Sequence, residues 1–594
     1  MNGGVLSTAD RQQSRRSIRM RRSLWSIIAA LAVLALVVAG CGGGGKAKKG
    51  GTVTILDTEG GVDSLDPGYW YYQDDYKSLG QPTQRWLYGW KPNETTPTPD
   101  LATALPAVSN GGRTITVKIR SGIRYSAPLQ TRTVKAADIK YAMERCFLPQ
   151  VGNGYYHSYY GDIAGADAFT KGKAKQISGI QVPDATTLVI KTTKPIFVLT
   201  SGRALGMPCT VPIPKDYAQK YDKGKTSTYG EHAVFTGPYM VQNDGKGNIT
   251  GYEAGKTLTL VRNPKWDKST DFRPAYFDRI EFKGGFDATV AARKTLTGPR
   301  MLSGDYAAPP VAVLKSGLSS RKSQLVITPS GGNRYIGLNT RIKPLDNVNV
   351  RRALSAAIDR TSLRQTRGGP TIGTIATHFF PPGIGGFEEG GGVQGPGFAF
   401  ASSPTANVPL AQQYMRKAGF ASGKYAGPAL LTFADDAPPA KETAEAFQSQ
   451  VGKLGFKLKL REVPHATMLS KYCEVPKAAV AICPNFGWGA DFFSPQSMID
   501  PLFNGKNIVP TGNVNTAQVN DPKLNAQIEK AKTITDPAAS AKAWAALDKV
   551  VTNQSYFLTW IWDNNVGLES KDMNGVPSKF NSGEWDLTFS SFKK

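Results

Sequence analysis

Hydrophobic and polar residues alternate along residues 113–120, where Ile115, Val117 and Ile119 are separated by threonine and lysine. A period of two predicts a strand with one buried face. Shorter segments of the same character predict further strands at residues 186–191, 257–261 and 457–460.

Apolar residues recur at helical spacing in three other segments. The first, residues 136–147, carries them at Ile139, Ala142, Met143 and Cys146, the second at Val350, Ala353, Leu354, Ala357 and Ile358, and the third at Ala444, Phe447, Val451 and Leu454. Each pattern predicts an amphipathic helix. Because strands and helices alternate along the chain, the pattern favours an α/β fold. The glycine-rich residues 383–397 are expected to form an exposed connection.

The N-terminal segment has the layout of an export signal. Six arginines between residues 11 and 22 precede an apolar stretch at residues 24–38. This stretch is shorter than the roughly 20 residues of a membrane-spanning helix and fits a signal-peptide core. An uncleaved anchor helix is the alternative. Met20 is a possible start, since translation from there retains two arginines and the whole apolar core.

The apolar stretch ends at Val38-Ala39-Gly40-Cys41, and four glycines follow. This resembles a bacterial lipobox, in which the cysteine thiol receives a diacylglycerol and becomes the mature N-terminus. Residues 1–40 would then be a lipoprotein signal peptide and residues 41–50 a flexible tether. Acyl chains on Cys41 would hold the protein at the lipid bilayer, on the outer face of the cytoplasmic membrane.

Charge and composition narrow the function class. The chain has 72 basic and 46 acidic residues, a net charge of +26, and removing residues 1–40 with their six arginines and one aspartate leaves +21. The basic residues are scattered, so we expect attraction to anionic headgroups rather than a nucleic-acid partner. The 40% hydrophobic content excludes wholesale disorder.

Four cysteines remain besides Cys41, which allows three pairings. Cys473 and Cys483 lie ten positions apart with prolines nearby, which suits a local disulfide, and Cys146 would then pair with Cys209. Zinc is the alternative for Cys473 and Cys483, although the chain has no C-x₂₋₄-C spacing. With only four scattered histidines, no metal site is predicted.

Sequence signatures of catalysis are lacking. The chain has no G-x-S-x-G, H-E-x-x-H or Walker A motif. Gly390, Gly392 and Gly395 fit G-x-G-x-x-G, but no strand is predicted before them and no helix after them. We therefore predict neither an enzyme nor a cofactor.

Several short segments, in order, resemble the extracellular solute-binding proteins of family 5, which serve peptide- and nickel-type ABC transporters. They are residues 50–54 (GGTVT), 64–67 (SLDP), 99–102 (PDLA), 112–122 (GRTITVKIRSG), 134–139 (VKAADI), 236–239 (TGPY), 260–264 (LVRNP) and 350–360 (VRRALSAAIDR). The resemblance extends over most of residues 50–594. It implies a type II periplasmic-binding-protein-like fold, in which two α/β lobes flank a ligand cleft and one lobe carries an extra domain.

The family also implies a division of the chain. Lobe I would hold residues 51–92, 207–325 and 556–594, its extra domain II residues 93–206, and lobe III residues 326–555. The segment Trp488-Gly489-Ala490-Asp491-Phe492 resembles a family segment whose aspartate pairs with a peptide α-ammonium group. Asp491 is thus the predicted ligand-binding carboxylate, and Trp488 would wall the pocket. The alternative is that Asp491 caps a helix that begins near Ser494.

The resemblance implies the substrate-binding lipoprotein of an ABC importer. It would capture a small solute, above all an oligopeptide or dipeptide, close on it by a hinge motion and deliver it as a monomer to membrane permease subunits. Nickel chelates are less favoured with four histidines. Two other classes stay open, an exported hydrolase and a basic surface adhesion module.

The first testable prediction concerns Cys41. Changing Cys41 to Ala should release the protein into the medium or leave an uncleaved precursor, because the thiol is the acceptor of the lipid. Fractionation of cells with immunoblotting measures this. Normal processing and unchanged membrane retention of Cys41→Ala would contradict the lipobox interpretation.

Overall fold

The computed structural model describes residues 47–58, 62, 64–70, 75–304 and 308–594. The predicted signal peptide, Cys41 and residues 42–46 of the predicted tether lie outside the described residues. Residues 49–592 form one unit.

A first sheet of six strands joins the start of the 49–592 unit to residues 239–303. Its order is Met301–Ser303, Thr52–Leu56, Arg279–Lys283, Thr257–Arg262 and Tyr239–Val241, with Tyr252–Glu253 paired to Thr257–Arg262. Thr52–Leu56 runs parallel to both neighbours, and the other pairs are antiparallel. The strand predicted at residues 257–261 is confirmed.

A second, antiparallel sheet lies within residues 107–191. Its order is Ala107–Ser109, Thr114–Lys118, Thr187–Lys191 and Ile180–Asp184. Ile115 and Val117 are buried, and the threonines and lysine between and beside them are more exposed, as the alternating pattern predicted. This sheet lies within the segment predicted to be domain II, and its strand at Thr187–Lys191 is the one predicted at residues 186–191.

A third sheet carries the second half of the chain. Its order is Gly373–Ile375, Phe557–Leu568, Leu325–Leu338, Ile482–Gly489, Leu430–Asp435 and Leu458–Val463. Leu430–Asp435 runs parallel to its two neighbours, and the other pairs are antiparallel. Tyr335 packs into one hydrophobic cluster, and Ile336 and Leu338 pack into another. The two faces of this sheet are thus both covered, which makes it the centre of lobe III.

One predicted boundary is wrong. We expected the chain to return to lobe I at residue 556, but Phe557–Leu568 pairs with Leu325–Leu338 inside the third sheet. The chain leaves that sheet only after Leu568 and then forms a small hairpin of Met573–Asn574 with Ser591–Phe592. The other boundaries stay predictions.

Helices cover the sheets. Those of seven or more residues are Ala136–Arg145, Ala288–Thr297, Val311–Ser320, Val348–Ala357, Arg360–Thr366, Val408–Lys417, Ala440–Gly452, Gln496–Phe503, Pro522–Ala531 and Pro537–Gln554. The shorter ones are Gln81–Thr83, Tyr156–Tyr160, Ala166–Thr170, Phe197–Thr200, Lys215–Ala218, Phe387–Gly390, Ala399–Ser402 and His465–Thr467. All three predicted amphipathic helices are present, and their apolar faces are buried, as shown by Ile139, Leu354 and Phe447.

The glycine-rich segment is packed, not simply exposed. Phe387 is buried, and the Gly392 carbonyl lies 3.0 Å from Nε2 of buried His378. A Cβ atom at Gly386 would lie 2.8 Å from the Ala541 carbonyl of the helix Pro537–Gln554. Glycine therefore lets the backbone approach this helix more closely than any other residue would allow.

Both disulfides have the predicted pairing. Cys146 is bonded to Cys209 and Cys473 to Cys483, with Cα–Cα distances of 6.0 and 6.2 Å. The first staples domain II to the segment that follows it. The second ties the start of the strand Ile482–Gly489 to the turn before it, so zinc ligation by these cysteines is excluded.

A buried ion cluster fastens domain II to lobe I. The Arg145 guanidinium is fully buried and donates two 2.6 Å bonds to Asp66 and further bonds of 2.7–2.8 Å to Asp222. Burial alone would lower the pKa of Arg145, but the two carboxylates raise it. The cluster therefore holds one buried cation between two buried anions.

The Arg145 cluster gives the second prediction. Arg145→Met should lower the free energy of unfolding by about 3–5 kcal/mol, because two buried carboxylates lose their cation. Urea unfolding followed by tryptophan fluorescence measures the change. Lys171→Met is the matched control, since it breaks an exposed ion pair with Asp167 and should cost less than about 1 kcal/mol. Similar losses for both variants would contradict the role of the cluster.

Candidate ligand-binding site between the lobes

The predicted binding segment leaves the third sheet at a fixed point. Asp491 follows the strand Ile482–Gly489 by two residues and precedes the helix Gln496–Phe503. Trp488 pairs with Asn333 on the neighbouring strand, and the disulfide at Cys483 holds the other end. The sheet and the disulfide therefore determine where Asp491 lies.

The carboxyl group of Asp491 is enclosed. The residue is 5% exposed, and the Tyr159 hydroxyl donates a hydrogen bond to Oδ2. Within the described ranges no lysine, arginine or histidine forms an ion pair with it. Burial raises the pKa of Asp491 to about 7, an effect that the bond from Tyr159 only partly offsets. The capping alternative is wrong, because the helix after Pro495 has no side-chain cap.

The partner of Asp491 comes from domain II. Tyr159 lies in the short helix Tyr156–Tyr160, whose first N–H donates to Oδ1 of Asn153 at 2.9 Å. The Tyr159 ring packs edge to face against the Phe492 ring, with 4.8 Å between the two centroids. Asp491 of lobe III is therefore sealed by a side chain from the opposite lobe.

Trp488 is anchored within lobe III. Its indole N–H donates to the Ser497 carbonyl at 2.8 Å, and the side chain is partly exposed. This bond orients the ring over the start of the helix Gln496–Phe503. That Trp488 walls a ligand pocket stays a prediction.

Sequence reasoning missed a second contact between the lobes. Arg203 of domain II donates from Nε to the Phe493 carbonyl at 2.7 Å and stacks on Phe197. The Phe493 ring lies 5.4 Å from that of Trp90, in an edge-to-face arrangement. The aromatic run at residues 155–160 (YYHSYY) is the sequence feature that marks this side of the cleft, and no prediction was based on it.

An ion cluster closes the interface further along. Lys532 of lobe III lies 2.8 Å from Asp162 of domain II and 3.6 Å from Asp500. Lys194 of domain II pairs with Asp162 at 3.1 Å and also with Glu529. Burial would lower the pKa of Lys532, but the surrounding carboxylates raise it. Every charge here has a partner, unlike the carboxyl group of Asp491.

The described part of the chain includes no helix that is long and apolar enough to cross a bilayer. Nor do its histidine, cysteine, aspartate and glutamate side chains form a group of three that could hold a metal ion.

A fold of two α/β lobes that meet over an enclosed carboxylate defines a solute-binding protein. Residues 96–509 match the bacterial extracellular solute-binding proteins, family 5. This match covers more than half of the chain, and the chain belongs to that family. Its members bind solutes for transport and are not enzymes.

Known proteins are similar over nearly the whole chain. The oligopeptide-binding protein OppA of Bacillus subtilis is 26% identical over 580 residues, 93% of this chain and 97% of its own. The glutathione-binding protein GsiB of Escherichia coli is 24% identical over 470 residues, 79% and 81% of the two chains. The solved structure of clavulanic acid biosynthesis oligopeptide binding protein 2 superposes with a TM-score of 0.77 and 25% identity, covering 92% of this chain and 96% of that one.

The enclosed carboxyl group gives the third prediction. Burial in the closed form raises the pKa of Asp491 by more than the Tyr159 bond lowers it, so closure of the ligand-free protein takes up a proton. The stabilisation of the closed form is complete below the ordinary aspartate pKa of about 3.9 and is lost as the pH rises through about 7. X-ray scattering of ligand-free protein should therefore give a smaller radius of gyration at about pH 5 than at about pH 8.5.

Asp491→Asn is the control, because the amide is neutral at every pH. Its radius of gyration should not change over this range. The burial that raises the pKa of neighbouring Tyr155 keeps that group neutral throughout. An equal pH response of native protein and Asp491→Asn would contradict the assignment.

Proposed function

We propose that this protein is the lipid-anchored, substrate-binding subunit of an ABC importer and that it captures short peptides between its lobes. Closure of lobe III on domain II buries the ligand. The closed complex then docks on permease subunits in the membrane, which release the peptide. The acylated Cys41 keeps the protein, as a monomer, at the outer face of the membrane.

The observation that carries this proposal is the unpaired carboxyl group of Asp491. An ionised carboxylate out of water is costly unless a cation accompanies it. Among the residues that the structure describes, only Tyr159 bonds to this carboxyl group, through its hydroxyl. A ligand with an ammonium group would supply the missing charge, and the free amino terminus of a peptide is such a group.

The relatives support a peptide as the ligand, but they do not by themselves determine the ligand class. OppA and GsiB are named for oligopeptides and for glutathione, but a relative from Haemophilus influenzae, 24% identical over 492 residues, is a heme-binding protein. Asp491 favours a peptide among these ligand classes, because a carboxylate enclosed between two lobes selects for a ligand with a cationic group. The ligand class therefore rests on this residue.

The binding cycle follows from the same contact. In the open protein Asp491 is in water and ionised at neutral pH. The peptide ammonium pairs with it, Tyr159 closes over the pair, and Phe492 excludes water from one side. The predicted division into lobe I, domain II and lobe III places the moving interface between domain II and lobe III.

The fourth prediction tests the pairing of Asp491 with a peptide amino terminus. Asp491→Asn keeps the shape of the side chain and removes its charge, so the ligand ammonium would be buried beside a weaker partner. We expect a loss of about 2–5 kcal/mol, roughly thirty-fold to several-thousand-fold in affinity. N-acetylated peptides should bind native protein weakly and should be insensitive to the substitution.

Calorimetric titration of free and N-acetylated peptides against native protein and Asp491→Asn gives the four corners of a double-mutant cycle. Asp436→Asn is the matched control, since Asp436 is exposed on the same lobe. If acetylation and Asp491→Asn each weaken binding and their effects simply add, the two groups do not meet and the proposal fails.

A further inference from the structure

Arg360 is a buried cation whose hydrogen-bond acceptors are all neutral. The residue is 1% exposed and begins the helix Arg360–Thr366 of lobe III. Its Nε donates to the Thr559 carbonyl at 3.1 Å, and its Nη1 donates to the carbonyls of Ser355 and Ser403 at 3.2 and 3.1 Å. Its Nη2 donates to the Ser355 hydroxyl at 3.1 Å. No aspartate or glutamate in the described part of the chain forms an ion pair with it.

Two other buried arginines show how the fold otherwise accommodates a guanidinium. Arg145 lies between two carboxylates. Arg351 lies over the Tyr556 ring, 5.1 Å from its centroid. Arg360 has neither kind of neighbour among the described residues, and burial lowers its pKa to about 9. A buried charge without a counter-charge is costly, so this position of the fold favours an added anion.

Arg360 borders a small cavity inside lobe III. The cavity has room for roughly one water-sized particle. Hydroxyl groups and phenylalanine rings supply much of the remaining lining, at Ser355, Thr552, Thr559, Phe379, Phe503 and Phe557. Within the described ranges no carboxylate borders the cavity, so its lining has donors and a cation but no anion.

His378 also lines this cavity, and it forms a pair with Asp548 that is neutral overall. Nδ1 of His378 and Oδ2 of Asp548 lie 2.5 Å apart, so a proton lies between them. Nε2 carries a proton of its own, because it lies 3.0 Å from the Gly392 carbonyl and a carbonyl only accepts. The charges of the pair therefore sum to zero whichever atom holds the shared proton, and the charge of Arg360 stays uncompensated.

We propose that this cavity binds a small inorganic anion, chloride or a halide of similar size, as the counter-ion of Arg360. An arginine has five N–H donors, and the four bonds described above leave one on Nη2 for the ion. The attraction between the ion and the guanidinium is strong in a buried site, where the dielectric constant is low. Sulfate and phosphate are too large for a cavity of this size. The inference concerns lobe III alone and holds whatever solute the cleft binds.

The ion stabilises lobe III at a junction of several elements. Arg360 connects its own helix to the helix Val348–Ala357 through Ser355 and to the strand Phe557–Leu568 through Thr559. The unfolded chain has no such cavity, so a ligand of the cavity binds the folded state alone. Chloride should therefore stabilise the folded protein by mass action.

Crystals of the mature protein grown with bromide in place of chloride test the site directly, because bromide is similar in size and scatters anomalously. We expect an anomalous peak in the cavity beside Arg360. The peak should be missing from Ala401→Val, because Ala401 lines the cavity and the added methyl groups occupy it. A cavity that holds only water, with no anomalous signal in native crystals, would overturn the inference.

Thermal unfolding in solution measures the energetic consequence. Chloride is raised from about 5 to about 500 mM at constant ionic strength, with gluconate as the replacing anion, so that general screening stays the same. The Tm of native protein should rise by about 2–5 °C. Arg360→Gln and Ala401→Val should each lose this rise, since one lacks the charge and the other the space.

Ala411→Val is the matched control, because Ala411 is a buried alanine of the same lobe that does not line the cavity. It should keep the native response to chloride even if its Tm is lower. Should Arg360→Gln fail to fold, Ala401→Val and the bromide crystals still decide the question. An equal chloride response in native protein and Ala401→Val would overturn the inference.

Discussion

A carboxyl group buried away from water must be protonated or paired with a cation, and no cationic side chain in the described part of the chain pairs with Asp491. This constraint links the features of the cleft. The charges of the neighbouring Lys532 cluster are all matched within the protein, so that cluster can close without a ligand. The Asp491 contact is complete at neutral pH only when something else brings a positive charge. Closure and ligand binding are thereby coupled through one side chain.

The rest of the scaffold holds the two sides of this contact in place. On lobe III, the strand Ile482–Gly489 is fixed by its neighbours in the sheet and by the Cys473–Cys483 disulfide. On domain II, the Tyr155 hydroxyl accepts a hydrogen bond from the Cys209 backbone N–H at 3.3 Å. This bond connects the start of the helix Tyr156–Tyr160 to the Cys146–Cys209 disulfide. Each disulfide therefore supports one half of the binding interface. We infer that the two disulfides orient the residues of this interface as well as stabilise the fold.

The sequence predicted features that depend on local patterns. The strand at Ile115 and Val117 was predicted from alternation, and the helix at Leu354 from helical spacing. Both predictions are correct because burial of one face of an element determines its sequence pattern as well as its structure. Asp491 was located from a resemblance, since a lone aspartate after a strand has no signature of its own. Tyr159 and Arg203 were missed because they lie about 290 or more positions from their partners, and only the approach of the lobes joins them. The packing of Gly386 was missed for a related reason: sequence shows that glycine permits close approach, but not which helix it approaches.

Native mass spectrometry of the mature protein, purified without added ligand, tests the central claim most directly. The account predicts co-purified adducts whose fragmentation yields short peptides with a free amino terminus, and their loss from Asp491→Asn. Adducts that prove to be sugars, metal chelates or N-blocked peptides would contradict the account.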